Sequence, residues 1–98
     1  MPDQSQNLLQ VRVVSPHEEL FSGEVLSVSS INSVGPFDIL PEHAKFVTLV
    51  EKQSVVLRLP DGQKKEYKFN LAIIHVKDNQ VNVYTNPKEV GQELTSVV

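Results

Sequence analysis

The sequence predicts an all-β domain: a flattened sandwich or barrel of roughly ten short, mainly antiparallel strands. Three observations carry this reading. Apolar and polar residues alternate with a period of two through several segments, and turn residues separate those segments about every 8–12 positions. No stretch carries the i, i+3, i+4, i+7 apolar stripe that a helix of ten or more residues needs.

Taken along the chain, Leu9, Val11 and Val13 alternate with Gln10 and Arg12 and define a first strand. Ser15-Pro16 ends it, because proline lacks the amide that a ladder requires. A second strand segment follows and is interrupted by Ser22-Gly23. Asn32-Ser33-Val34-Gly35-Pro36 reads as a loop, and Leu40-Pro41-Glu42-His43-Ala44 as another. Leu57 and Leu59 alternate around Arg58, and Tyr67 and Phe69 around Lys68; Pro60-Asp61-Gly62-Gln63 between them suits a tight hairpin. Leu71-Ala72-Ile73-Ile74 is a continuous apolar run that suits a strand buried on both faces. Lys77-Asp78-Asn79-Gln80 is a second hairpin signal, and Val81 and Val83 around Asn82 form the last strand. One domain is expected over 1–98, with the sandwich spanning about 8–86 and a short tail over 87–98.

Composition narrows the function classes. The 98 residues carry a net charge of −3, which lacks the basic footprint of a nucleic-acid binder. No cysteine is present, so neither a disulfide scaffold, a thiolate metal site nor a cysteine nucleophile is expected. The longest charge-free run, Val25 to Phe37, falls short of the about 20 apolar residues of a membrane-spanning helix. Met1-Pro2-Asp3-Gln4-Ser5-Gln6 lacks the basic-then-apolar pattern of a signal peptide. Charge is uneven: residues 1–50 hold six acids and two bases, residues 51–98 six acids and seven bases.

Catalytic and metal-ligand patterns are weak. His17, His43 and His75 lie far apart, and none has a second ligand at zinc spacing. The serines stand in no G-x-S-x-G elbow, and the four glycines form no phosphate loop. No metal, cofactor or catalytic residue is expected, and the function expected is binding. Its best candidate surface is Gly35 to Ala44, where Pro36 and Pro41 fix the backbone around Phe37, Ile39 and Leu40. The apolar residues there suit the core, and the polar tip Pro41 to Ala44 suits a partner.

Val13-Val14-Ser15-Pro16, then Glu19-Leu20-Phe21-Ser22-Gly23-Glu24-Val25, then Gly35-Pro36-Phe37-Asp38-Ile39-Leu40-Pro41-Glu42-His43-Ala44 resembles the N-terminal domain of the F-type ATP synthase epsilon subunit, called delta in mitochondria. The correspondence runs in order from about Leu9 to Val83. It implies a ten-stranded β-sandwich and a non-catalytic central-stalk subunit of a proton-translocating ATP synthase. In that family the domain packs on the gamma subunit and on the polar loops of the c-ring, peripheral to the cytoplasmic side of the plasma membrane. By position, Asn32, Ser33, Val34, Gly35, Pro36, Asp38, Pro41, Glu42, His43 and Ala44 are the residues expected to face the c-ring. A second reading is a stand-alone β-sandwich adaptor derived from that subunit.

The departures are specific. The family's acidic residue after the loop glycine is Pro36 here, its next glycine is Asp38, and the glycine before the histidine is Glu42. An acidic contact to the ring is therefore expected at Asp38 or Glu42. The family's paired glycines before a late strand are replaced within Asn70-Leu71-Ala72. Gly91-Gln92-Glu93-Leu94 resembles the start of the family's C-terminal helical hairpin, and only Thr95 to Val98 follow, so the regulatory hairpin is expected to be missing.

Overall fold

A computed structural model describes residues 8–85; the expected tail over 87–98 and the helix-junction motif within it lie outside the described residues. Seven strands form one mixed sheet: β1 (Leu9–Val14), β2 (Glu19–Val25), β3 (Ser27–Asn32), β4 (Gly35–Ile39), β5 (Phe46–Arg58), β6 (Lys64–Lys77) and β7 (Gln80–Thr85). Their order is β2-β1-β7-β6-β5-β3-β4, antiparallel throughout except for β1 against β7.

The count of seven corrects the expected ten, and the reason lies in β5 and β6. Each runs unbroken through a bend instead of splitting into two strands. The inward side chains of β5 are Phe46, Thr48 and Val50, then Val55 and Leu57; those of β6 are Tyr67 and Phe69, then Ala72, Ile74 and Val76. Both strands thus change phase by one residue. Strict alternation would have turned one half of each strand's apolar set to solvent. The change occurs where Lys52, at φ 55°, lies between the pairs Glu51–Leu71 and Gln53–Phe69. One half of each strand continues the sheet toward β7, β1 and β2, with β6 pairing β7 over Ala72–Lys77, and the other half continues it toward β3 and β4, with β5 pairing β3 over Val56–Arg58. The sheet is thereby folded over onto itself. Nor does Ser22-Gly23 interrupt β2, which runs through both residues.

The fold-over buries one core. Leu9, Val11, Val13, Ile74, Val76, Val81 and Val83 from the first half meet Val28, Ile39, Val55, Leu57 and Phe69 from the second in a single cluster. Burying a Val, Leu, Ile or Phe side chain is worth about 1.5–3 kcal/mol each, so this cluster outweighs any surface contact. Leu26 is the corner where the chain steps from β2 to β3, its amide donating to the Arg58 carbonyl at 2.7 Å.

Both hairpin signals read from the sequence form turns. Asp78 and Asn79 sit at φ 52° and 62° between the paired residues Lys77 and Gln80, as a two-residue type I′ turn requires. Gly62 adopts φ 94° after Asp61, whose carboxylate accepts the Gln63 amide at 2.9 Å. Leu71–Ile74 departs from expectation: Ala72 and Ile74 are buried, while Leu71 and Ile73 are exposed. The run is a one-sided strand with apolar residues left on its outer face.

Candidate functional site

The residues expected to face a partner occupy both ends of the β3–β4 hairpin. At one end, Asn32 closes the turn: its Oδ1 accepts from the amides of Val34 at 2.9 Å and Gly35 at 3.2 Å. Only Ser33 and Val34 lie outside strands there, because Asn32 ends β3 while Gly35 and Pro36 begin β4; the loop expected over 32–36 is this two-residue turn. Pro36 is tolerated because β4 is an edge strand. Val34 at the tip is 92% exposed. Asp38 points outward from β4 and accepts a hydrogen bond from the Ser29 hydroxyl across the hairpin.

At the other end, Pro41 to Ala44 lies outside regular structure, as expected. Glu42 takes φ 73°, a left-handed backbone that strongly favours glycine. The glycine that the resemblance expects before the histidine thus has a conformational reason, and Glu42 occupies the same backbone. Its amide donates to Asn79 Oδ1 at 2.6 Å. The His43 amide donates to the Leu40 carbonyl at 3.1 Å, and its ring packs edge-on against Phe46 with centroids 5.3 Å apart. Nδ1 lies 2.9 Å from the Ala44 carbonyl, which can only accept, so Nδ1 carries the proton. Glu42, His43 and Lys45 share a depression with Lys77, Asp78 and Asn79. Asn32 and Ser33 line a separate one with Leu49 and Glu51. The two ends are joined through β5: Asn32 Nδ2 donates to Thr48 Oγ1 at 2.9 Å, two residues from the Phe46 that carries His43.

A further surface was not anticipated. Outward from β5, β6 and β7 point Val47, Leu49, Leu71, Ile73 and Tyr84, all exposed. Leu49, Ile73 and Tyr84 stand directly opposite one another across the three strands. Val47 at 60% and Ile73 at 44% exposure leave an apolar strip uncovered. Polar groups border it: Arg12 and Glu19 form an ion pair at 2.9 Å, and Gln10 donates to Glu24 at 2.8 Å. The sequence held a signal for this strip. Val47 to Val50 and Leu71 to Ile74 are apolar at nearly every successive position, whereas an antiparallel sheet normally leaves one face polar. A second apolar face of this kind, on a chain this small, is the type of surface that marks interaction sites. Among the described residues, no group of three or more His, Asp or Glu side chains is placed to hold a metal ion. No helix of the described residues is long and apolar enough to cross a membrane.

Residues 8–90 match the model of the ATP synthase delta/epsilon chain β-sandwich domain. The chain belongs to that family. It is similar to the ATP synthase epsilon chain of Leptospira interrogans, with 35% identity over 91 residues, covering 92% of this chain and 70% of the relative. Against the epsilon chain of a Nitratiruptor species the identity is 33% over 72 residues, covering 74% of this chain and 56% of the relative. The chain thus spans little more than half the length of several curated relatives. The fold is shared with a chain of the Euglena gracilis mitochondrial ATP synthase, solved as an OSCP/F1/c-ring assembly. The TM-score is 0.75 at 17% identity, over 81% of this chain and 51% of that one. A chain of the Tetrahymena thermophila mitochondrial ATP synthase central stalk and c-ring matches with a TM-score of 0.68 at 9% identity, over 80% and 63%.

Within this epsilon-family domain, the replaced paired glycines coincide with the bend. Asn70 and Leu71 fall at the phase change of β6, and the left-handed residue is Lys52 on the neighbouring strand. Of the three apolar residues expected to suit the core, Ile39 is buried, Phe37 is half-buried and packs on Phe46 with ring centroids 5.6 Å apart, and Leu40 is instead exposed, at the edge of the loop where β4 has ended.

Proposed function

We propose that this domain is a non-catalytic central-stalk element of a proton-translocating F-type ATP synthase that joins the gamma subunit to the c-ring. The observation that carries the reading is the presence of two chemically distinct surfaces on one small rigid fold. The apolar strip of Val47, Leu49, Leu71, Ile73 and Tyr84 suits a large, permanent, hydrophobic contact, and we assign it to gamma. The polar hairpin ends, Asn32 to Pro36 with Asp38 and Pro41 to Ala44, suit a contact with the polar loops of a c-ring. Asp38 and Glu42 supply the acidic charge there. The family membership and the assemblies in which the structural neighbours were solved support this reading. It puts the domain at the cytoplasmic membrane face through the complex.

Mixing the purified chain with isolated gamma, with detergent-solubilised c-ring and with both tests the proposal by native mass spectrometry. Binary complexes with each partner and a ternary complex with both are expected. A chain that binds one partner only, or loses one on binding the other, is not a link between them.

A further inference from the structure

Among the described residues, four that are not glycine occupy the left-handed region, and two of them, Glu42 and Asn79, are bonded to each other. Glu42 sits in the Pro41–Ala44 loop and Asn79 in the β6–β7 turn, 37 positions away. We propose that Asn79 is the positioning residue of the Pro41–Ala44 loop. Its side-chain carbonyl holds the Glu42 amide, fixes a non-glycine residue in a glycine-type backbone, and so sets the direction in which His43 is presented.

The argument begins with the strain at Glu42. A side chain with a Cβ does not stay in the left-handed region without support from its surroundings. Within the loop, the bonds present act on His43: its amide to Leu40, its ring to Phe46, and Nδ1 to Ala44. The Glu42 amide is held from outside, by Asn79 Oδ1 at 2.6 Å. Asn79 is in turn well anchored. Its own carbonyl accepts the Gln10 amide of β1 at 2.8 Å, and its backbone, at φ 62°, completes the type I′ turn. Position 79 therefore makes two demands at once: tolerance of a left-handed backbone and a short side-chain acceptor. Asparagine and aspartate meet both, and glycine meets only the first. A loop held in this way loses less freedom on docking than one that must be ordered by its partner. The proposal rests on the assignment of this loop to the c-ring, but the clamp itself is measurable without any ring.

Asn79→Gly removes the acceptor and keeps the turn; Asn79→Asp keeps both. Amide hydrogen exchange in the full chain by NMR and affinity for purified c-ring are the readouts, with His43→Ala as reference. Asn79→Gly is expected to speed exchange of the Glu42 amide about fivefold, shift the His43 ring resonances and weaken ring binding by a similar factor. Asn79→Asp is expected to restore all three. Unchanged exchange at Glu42 in Asn79→Gly overturns the clamp. Faster exchange with unchanged ring affinity, while His43→Ala still weakens binding, overturns the positioning role. If neither Asn79→Gly nor His43→Ala alters ring affinity, the assignment of the loop to the ring falls and takes the positioning role with it, while the exchange data still decide the clamp.

Discussion

Replacing Leu49 and Ile73 together by threonine separates the apolar strip's role in docking from its role in folding. The two residues face each other on β5 and β6, at 47% and 44% exposure. Full burial of a Leu or Ile side chain is worth about 1.5–3 kcal/mol, so covering the exposed half of each contributes about 1 kcal/mol. Losing both reduces gamma binding by about 2 kcal/mol, near a 30-fold rise in Kd. Threonine is β-branched, as strands favour, so the free domain loses only part of one cross-strand contact, about 1 kcal/mol or less. Because the pair is in contact, the double variant and both singles are needed to apportion the loss. Isothermal titration of gamma, alongside thermal unfolding by circular dichroism, reads the two effects separately. Leu40→Thr, at 53% exposure and outside the strip, is the matched control and should leave gamma affinity unchanged. A folded double variant with wild-type affinity would refute the assignment of the strip to gamma.

Charge reversal at Asp38 and Glu42 to lysine is expected to weaken c-ring binding, by a factor that shrinks as salt rises from about 50 to about 500 mM and the Debye length falls; titration at both salts checks it. Lys52→Gly is expected to stabilise the domain by about 1 kcal/mol in urea unfolding, because Lys52 bears left-handed strain at the bend that glycine does not. A destabilised variant would mean that the lysine stem's packing outweighs the strain. Burial raises the Tyr67 hydroxyl above its ordinary value of 10.0. The folded state therefore holds that proton more tightly than the unfolded one. The resulting stability is fully present below about pH 10 and declines as pH rises from there through the folded value. Tyr67→Phe should flatten that part of the stability profile, and equal alkaline slopes for both proteins would contradict it.

The edges of the strands were legible because their signals are local. Ser15-Pro16, Asp61-Gly62 and Asp78-Asn79 stop or turn the chain through their own backbone chemistry, and each does so in the fold. The bend was not legible, since Lys52 carries no turn signature and a lone Asn70 between apolar residues does not by itself stop a strand. What places a lysine at φ 55° is the need of both strand halves to keep their apolar faces on one core. That need exists only once β5 and β6 are paired, so two long strands were read as several short ones. The polar hairpin ends were visible as loops with fixed prolines. The apolar strip left a signal but not a readable one, because an unbroken run such as Leu71–Ile74 looks the same whether its second face meets the core or a partner. Glu42 illustrates the same limit: its left-handed backbone is upheld by Asn79 from a distant turn.

Photo-crosslinking from within an assembled ATP synthase tests the central claim most directly. A crosslinker at position 73, in the apolar strip, and one at position 43, in the hairpin loop, are compared in the same complex. Capture of gamma from 73 and of subunit c from 43 is the result expected of a link between the two. Capture of one partner from both positions, or of neither, contradicts it.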